Sequence, residues 1–456
     1  MRSRSVVVVC LMVVCFSLLG AGPREKVRDE WREPRPPDGE DQPQAGHDLS
    51  VATQTPIAVT DARRIATSFM SEHLASGECP DWAGAEVGEA IPFYSATAPY
   101  PLAYEFSIVK DGAPQGSILC GATEGTAAVI GYAPEGKSVA AALREAVEEE
   151  LDRPIETKRR YLYGGGSQFG IEVRPVDSVN LPMDSETLTV LPEEGVILYS
   201  FTFVPRSRYD WENRFRADFR VSREWIEHER EVRADLLLQP VRRKIETNAS
   251  KPKVKKGNLG TSGFAKFYQE KLKWSNGKCS TGCTPVAAAI VFEFWDRNGY
   301  PKMIGSDSKN KSHSSPTDPA VLDALKTLRK EMGTVCNSDG AGATSNYGAS
   351  KGSKAYARGR GYKNSSTNNN SSREWSTIID EIDAGRPPLL SFTGDLMMTG
   401  VIGDHTVVPY KYTNSSDNSD DIVCVRTGWK QPYEWCIGVN SPTEEWNMVT
   451  TIRPKK

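Results

Sequence analysis

The chain contains 456 residues, of which 38% are hydrophobic and 25% are charged, and its formal net charge is -3. These values are typical of a soluble globular protein, so wholesale disorder, a coiled coil, a collagen and a multi-span membrane protein are excluded. The near-neutral charge gives no global electrostatic field that would attract nucleic acid. At roughly 100–200 residues per domain, the length allows two to four domains.

An apolar run near the N-terminus, from Val6 to Leu19, follows Arg2 and Arg4. This run is too short to span a bilayer, but it suits the core of a secretory signal peptide. We therefore predict a signal peptide over residues 1–22 and a secreted or extracytoplasmic protein without membrane contact after signal removal; an uncleaved anchor is the alternative. Residues 23–55 are charged and proline-rich, which predicts a disordered linker.

Organised structure is predicted to begin at Thr60 and Asp61, which are good helix-capping residues and precede apolar residues at helical spacing. Strand-like segments separated by glycine-containing turns follow, together with two further helical segments. The strand-like segments are 101–109, 117–123, 127–133 and 195–203, and the helical ones are 139–151 and 222–244. A helix followed by antiparallel strands predicts a smaller α+β domain over residues 56–240.

A basic segment comes next, and residues 241–257 contain seven basic residues and one acidic residue. A solvated linker is the simplest interpretation of such a run. Its position between two organised halves also makes residues 241–262 a candidate site for proteolytic nicking.

The second half opens with an alanine-rich helix, which Thr284 and Pro285 can start and which Gly299 and Pro301 can end. Another helix and a series of strands, the last three antiparallel, are predicted further on. They lie within 373–385 and at 389–392, 403–412, 420–429 and 433–439.

Cys283 follows a glycine at the N-terminus of the alanine-rich helix, where backbone amides and the helix dipole favour a thiolate. A cysteine at a helix start can equally serve packing. A thiolate that attacks an acyl group needs a base within reach, almost always histidine. The second half offers His313, in a serine- and lysine-rich loop typical of a solvated residue, and His405, which enters an apolar strand. We therefore predict that Cys283 and His405 act as a pair.

These residues carry a resemblance to a known family. The strings GCTPVAAAIVFEFWDRNGYP, IDAGRPPLL, GDHTVV and VCVRTGW follow one another in the order that papain-like cysteine peptidases use. The second half resembles most closely the streptopain family and the peptidases similar to bacteriocin-leader-processing enzymes. The resemblance implies an α+β papain-like catalytic domain over 263–456, in which an N-terminal helix carries the cysteine and an antiparallel sheet carries the histidine.

The first half is similar to the pro-domains of streptopain relatives, through ARRIATSFMSEHL and the segment from PLAYEFSIV to GYAPEG. This similarity implies a zymogen. The pro-domain would be an intramolecular inhibitor that covers the cleft until the chain is cut, and the other partner would be a peptide or protein substrate.

The resemblance implies that Cys283 is the nucleophile and His405 the base in peptide-bond hydrolysis through a thioester acyl-enzyme. An amide that stabilises the oxyanion usually precedes the cysteine in this superfamily. Gln269 is its best counterpart, and Asn276 is a rival because the spacing from Gln269 to Cys283 is long. The Cys283 backbone amide would supply the other donor.

The third catalytic position departs from the family pattern. Papain-like enzymes commonly place Asn or Asp just before a tryptophan to orient the histidine, whereas Thr427 occupies that slot here, with Trp429 beyond it. The Thr427 hydroxyl could accept from the imidazole N–H, and Asn440 on the next strand is an alternative. No cofactor is implied, and no metal is predicted because Cys279 lacks a second Cys/His pair at ligand spacing.

The cysteines beyond the signal peptide number seven, and an odd number in an oxidising compartment leaves at least one thiol unpaired. Cys424 and Cys436 lie on strands that should face each other, so we predict a bridge between them. Cys79 with Cys120, and by elimination Cys279 with Cys336, complete a pairing that leaves Cys283 as the thiol.

Two other functions remain open at this stage. The departure at Thr427 is compatible with a catalytically silent binding protein that keeps the papain-like fold. A cysteine-histidine amidase that acts on cell-wall peptides can share the same two residues, although the pro-domain-like first half favours the peptidase.

Overall fold

The computed structural model describes most of the chain from residue 55 onward, within a compact unit that spans residues 48–456. The described stretches are 55–152, 154–155, 158–164, 169–174, 189–191, 196–200, 207–215, 223–242, 254–260, 264–269, 271–274, 277–305, 315–336, 342–369, 374–393, 405–415, 421–430, 432–439 and 445–456. The predicted signal peptide, nearly all of the predicted linker, Asn276, His313 and Asn440 lie outside them.

The first half contains four helices and eight strands among its described residues. In chain order they are α1 (Val59–Ala75), β1 (Glu86–Tyr94), β2 (Pro101–Lys110), β3 (Ala113–Gly121), β4 (Val129–Ala133), α2 (Val139–Leu151), β5 (Lys158–Tyr163), β6 (Phe169–Arg174), β7 (Thr189–Leu191), β8 (Val196–Ser200), α3 (Arg208–Arg214) and α4 (Arg223–Arg242).

The second half adds four helices and thirteen strands within the described stretches. They are β9 (Val254–Asn258), β10 (Lys271–Trp274), β11 (Gly277–Ser280), α5 (Cys283–Arg297), α6 (Pro319–Met332), β12 (Val335–Cys336), β13 (Gly342–Ala343), α7 (Asn346–Gly359), β14 (Lys363–Asn364), β15 (Thr367–Asn369), α8 (Glu374–Asp383), β16 (Leu389–Thr393), β17 (His405–Ser415), β18 (Ile422–Arg426), β19 (Glu434–Gly438), β20 (Glu445–Thr451) and β21 (Pro454–Lys455).

The predicted α+β class is confirmed, and the predicted helices and strands fall close to the observed ones. The start of α1 differs from the expectation. Its N-cap is Ala58, which provides no side-chain hydrogen bond, and Asp61 lies inside the first turn, where a carboxylate suits the positive end of the helix dipole.

One large sheet runs through both halves, in the strand order β15-β20-β16-β17-β18-β19-β4-β3-β2-β1-β5-β6-β8-β7, with β9 paired to β17. The halves meet where β4 pairs antiparallel with β19. Tyr132 of β4 lies opposite Cys436, and Gly131 lies opposite Ile437. Gly131 of β4 permits this approach, because a Cβ there would lie 2.8 Å from both Cys436 O and Trp435 Nε1. The sheet is therefore continuous from the pro-domain-like half into the second half.

The hydrophobic core is shared in the same way. One cluster joins Ile65 and Phe69 of α1 to Val286 and Ile290 of α5. A second cluster joins strands of the first half to β17, β18 and β19. The apolar face of each half is thus covered by the other, which is the usual reason that layers of secondary structure pack together.

The basic segment is more ordered at its end than the sequence indicates. Residues 254–258 form β9, which pairs antiparallel with 411–415 of β17. Lys255 forms an ion pair with Asp383, and Lys256 forms one with Glu78. The expectation of an exposed linker over 241–262 is therefore wrong for β9, because distant carboxylates compensate its lysines and the edge of β17 satisfies its backbone.

Two disulfides are present among the described cysteines, and both were predicted: Cys279 with Cys336 and Cys424 with Cys436. The predicted bridge between Cys79 and Cys120 is wrong, because both are buried thiols outside the disulfides. Their surroundings differ. Cys120 lies near Arg233 of α4, whereas the charged groups nearest Cys79 include Lys411 and Glu78.

In the stretches that the structure describes, none of the helices combines the length and apolar character needed to cross a bilayer.

Candidate active site

Cys283 is the first residue of α5, a helix buried on nearly all sides, as its apolar sequence requires. The side chain itself is half-buried and belongs to neither disulfide. Gly282 precedes it with φ +93°, a conformation that favours glycine, and has no side chain to cap the first turn. The thiol therefore lies at the positive end of the helix dipole.

His405 is the first residue of β17 and is only 2% exposed, and a hydrogen bond fixes its ring. Its Nε2 lies 2.7 Å from the carbonyl oxygen of Thr427. A carbonyl can only accept, so Nε2 donates and the neutral ring carries its proton there. Nδ1 then holds the lone pair, and it has no hydrogen-bond partner among the residues that the structure describes.

The electrostatic surroundings of His405 favour the neutral ring. Burial lowers the pKa of His405 to about 4, and the bond to the Thr427 carbonyl opposes this only in part. The Trp429 indole stacks on the imidazole, with ring centroids 5.2 Å apart and planes inclined by 22°. The ring is thus held between a hydrogen bond and an aromatic face, and none of the described residues hydrogen-bonds its Nδ1.

The start of α5 and the start of β17 are joined directly. Thr284 Oγ1 lies 2.9 Å from Thr406 Oγ1, and these residues immediately follow Cys283 and His405. Thr406 Oγ1 also lies 3.2 Å from Ser391 Oγ on β16. This buried chain of hydroxyl groups brings the two predicted catalytic residues to the same end of α5.

Thr427 lies beside His405, but its contact differs from the one expected. The carbonyl oxygen of Thr427 accepts from the imidazole. The Thr427 hydroxyl donates to Pro432 O at 2.6 Å and accepts from the backbone N–H of Trp429 at 3.1 Å. The hydroxyl is engaged in the turn after β18, so the main chain of Thr427, and not its side chain, contacts the imidazole.

Gln269 also reaches this site. Its backbone N–H donates to Gly428 O at 3.1 Å, and Gly428 lies between Thr427 and Trp429. The hairpin formed by β10 and β11 accounts for the long spacing between Gln269 and Cys283. Its rival Asn276 lies outside the described residues, as does Asn440.

The arrangement combines the elements of acyl transfer: a thiol at a helix N-terminus, a neutral imidazole with a lone pair on Nδ1, and backbone amides at the helix start. Within the described stretches, no group of three or more His, Cys, Asp and Glu side chains is placed to hold a metal ion.

Residues 263–442 match the model of the Peptidase_C39 like family, which is less than half of the chain. The match confirms the predicted resemblance of the second half to papain-like cysteine peptidases. No curated protein shows detectable similarity to the chain.

The chain is also similar to two solved structures from Prevotella intermedia. A mutant fragment of prointerpain A is 10% identical at a TM-score of 0.37, over 80% of this chain and 98% of that one. The active wild-type interpain A cysteine protease is 14% identical at a TM-score of 0.30, over 45% of this chain and 98% of that one.

One residue near the candidate site was not anticipated from the sequence. Arg329 of α6 is buried and donates to the carbonyl oxygens of Ser280 and Thr281, just before Cys283. In the sequence this arginine stands beside Lys330 near the end of an amphipathic helix, where a basic side chain is typical, so nothing marks it as an internal residue.

Proposed function

We propose that the protein is a secreted papain-like cysteine peptidase made as a zymogen, which hydrolyses peptide bonds with Cys283 as nucleophile and His405 as base. The hydrogen bond from His405 Nε2 to the Thr427 carbonyl carries this proposal. It leaves Nδ1 as the basic atom of a buried ring whose strand is tied to the helix of Cys283.

In the proposed reaction, His405 Nδ1 takes the thiol proton while the sulfur of Cys283 attacks the carbonyl carbon of the scissile bond. The tetrahedral intermediate collapses to a thioester as His405 returns that proton to the leaving amine. Water then attacks the thioester, with its proton accepted by Nδ1, and the carboxylate product leaves as the Cys283 thiol is restored.

The oxyanion of the intermediate would be bound by the backbone N–H of Cys283 and by the side-chain amide of Gln269. Support comes from the position of Gln269, whose main chain bonds to the residue next to Thr427. Donors of this kind typically contribute 10²–10³ in kcat, so Gln269→Ala should lower kcat by about that factor.

The zymogen part rests on contacts between the first half and the surroundings of His405. Phe169 of β6 packs edge-on against Trp429 at 6.2 Å, on the indole that stacks on the imidazole. Glu149 at the end of α2 forms an ion pair with Lys430. The pro-domain-like half therefore reaches the residues next to the base, where it would restrict access of substrate.

Export is supported by the two disulfides, which persist in oxidising compartments, and by the apolar run near the N-terminus. Activity would follow a cut in the connecting segment. Because 254–258 is a paired strand, we place the cut between α4 and β9, at residues 243–253.

The test is labelling with iodoacetamide at pH 7, and labelling of the cut chain with a peptidyl chloromethyl ketone at a pH at which its halves have separated, each followed by mass mapping. We expect one adduct, on Cys283. Burial raises the pKa of Cys79 to about 12 and raises that of Cys120 further, so these two thiols serve as internal controls.

Cys283→Ala should lose both the adduct and casein hydrolysis while it keeps its unfolding temperature. A folded wild-type chain, cut at 243–253 and assayed at a pH at which its two halves have separated, that hydrolyses no casein would refute the peptidase. Cleavage of peptidoglycan stems in its place would make the protein an amidase. Full activity of an uncut chain would overturn only the zymogen part.

A further inference from the structure

Arg329 lies in the last turn of α6, 3% exposed, and its guanidinium reaches the loop between β11 and α5. Nη1 donates to Ser280 O at 2.9 Å and to Thr281 O at 2.6 Å, and Nη2 lies 3.4 Å from Cys279 Sγ. One buried side chain thus holds three consecutive residues that end two positions before Cys283.

The loop is closed from the other side by β13. The backbone N–H of Gly342 donates to Ser280 Oγ at 3.0 Å. A Cβ on Gly342 would lie 2.5 Å from Arg329 Nη1, and a Cβ on Gly282 would lie 2.8 Å from Gly342 O. The guanidinium and the two glycines are therefore packed without spare room, so a shift of the guanidinium must shift the loop.

The direction of these hydrogen bonds matters for the site. A trans peptide directs its C=O and N–H to opposite sides, so a Thr281 carbonyl held on Arg329 turns the Gly282 N–H away from α6. The unusual φ of Gly282 then sets the course of the chain into Cys283. Burial lowers the pKa of Arg329 to about 10, which still leaves the guanidinium charged at neutral pH.

We propose that Arg329 is a positioning residue of the peptidase: through the 279–282 loop it sets the orientation of the Cys283 thiol and backbone N–H. The proposal rests on the proposed function, and Arg329 is not one of the residues that would touch the substrate. The disulfide between Cys279 and Cys336 closes the same loop covalently, and Nη2 lies 3.7 Å from Cys336 Sγ.

Arg329→Met keeps the length and apolar stem of the side chain but removes every donor. We expect kcat to fall about 100-fold with KM within about threefold, because misplacement of a nucleophile by about 1 Å acts on the transition state. Arg329→Lys supplies one point charge that can reach a carbonyl but cannot span the loop, so kcat should fall about tenfold.

The matched control is Leu328→Ala, a buried neighbour on α6 in the main core cluster. It should lower the unfolding temperature while leaving kcat within about twofold at a temperature where all variants are folded. Equal loss of kcat in Leu328→Ala and Arg329→Met, or less than threefold loss in Arg329→Met, would overturn the proposal.

A second measurement separates this proposal from the proposed function. The rate of Cys283 alkylation by iodoacetamide in the full chain requires no peptidase activity. If the wild type hydrolyses no peptide, the proposed function fails, yet Arg329→Met must still change the alkylation rate at least fivefold relative to Leu328→Ala. Identical rates in the two variants would refute the positioning role.

Discussion

His405 is built to remain neutral over the physiological range. The ring is buried, its Nε2 proton is held by a carbonyl, and Nδ1 would need a new acceptor if it were protonated. Desolvation disfavours the imidazolium, so the ring binds a proton only in acid. In the proposed reaction, this neutral ring would take the thiol proton without first losing one of its own.

The pH dependence of kcat/KM should report this environment. We expect the acid limb at about pH 4, with activity rising as pH increases through it, instead of at the ordinary value of 6.5. Trp429→Ala would open one face of the ring to water and move the limb upward, toward 6.5. Trp295→Ala, at the far end of α5, should leave it in place. A wild-type limb at 6.5 or above would contradict the prediction.

At the scale of secondary structure, a hydrogen bond between two threonine side chains joins α5 to β17. Thr284 and Thr406 each follow a catalytic candidate, and their hydroxyl groups hydrogen-bond in a buried position. Ser391 extends the contact to β16. The helix is therefore fixed against the sheet next to Cys283 and His405.

We expect Thr406→Val to destabilise the protein by about 1–3 kcal/mol, because it leaves the hydroxyl groups of Thr284 and Ser391 buried without this partner. Thr284→Val should cost about 1 kcal/mol, since Thr406 keeps Ser391. Both should lower kcat about tenfold. Urea unfolding and steady-state kinetics measure the two effects, with Thr413→Val, remote on β17, as the control. Unchanged kcat in both variants would show that the junction does not align the site.

Local patterns predict much of this architecture. The alanine-rich interior of α5, the capping signals around it and the apolar runs of β17, β18 and β19 all specify elements from neighbouring residues alone. The facing strands also predict the bridge between Cys424 and Cys436. Cys283 and His405 follow as candidates from residue type and position, because a cysteine nucleophile needs a base within reach.

The misses involve contacts that sequence neighbours do not specify. Arg329 becomes internal only because the loop before α5 presents carbonyl groups to it. The two lysines of β9 form ion pairs with Glu78, just after α1, and with Asp383 of α8. Both carboxylates are far from β9 in the sequence. Cys79 and Cys120 belong to the same core cluster but lie near different charged groups, and no spacing rule carries that information.

At the scale of the whole molecule, the two halves form a single compact unit. They share a sheet through β4 and β19, a core through α1 and α5, and an aromatic contact of Phe169 with Trp435 at 5.8 Å. Such an interface buries apolar surface that neither half covers alone. A cut in the connecting segment removes the tether but none of these contacts.

The interface also contains a partly buried charge cluster around Glu78. Its carboxylate forms ion pairs with Lys256 and Lys411, and His73 Nε2 lies 3.7 Å away. Burial lowers the pKa of His73. For Glu78, burial acts in the opposite direction, but the two ammonium groups dominate and hold its pKa below the ordinary value. Both shifts favour the charge states present at neutral pH.

These shifts fix the sign of the pH effect on the stability of the folded chain. A histidine with a lowered pKa in the folded state resists protonation, so stability declines as pH falls below its ordinary 6.5. A carboxylate with a lowered pKa contributes stability above its ordinary 4.5, and this is lost as pH falls through the lowered value. Acid therefore lowers stability at His73 and also removes the Glu78 charge that pairs with Lys256 and Lys411 of the second half.

We accordingly predict that a chain cut at 243–253 remains a complex at pH 7 and separates in acid, with hydrolysis appearing together with separation. Size-exclusion chromatography over a pH series, read beside the cleavage of a peptide substrate, measures both. Glu78→Gln should shift the separation to higher pH, because it removes the carboxylate that joins Lys256 and Lys411. Glu135→Gln breaks an ion pair with Lys266 in which both side chains are nearly half exposed, and should change little. Separation of the fragments at pH 7, or full activity of the cut complex, would show that the shared core neither holds the first half nor restricts the cleft.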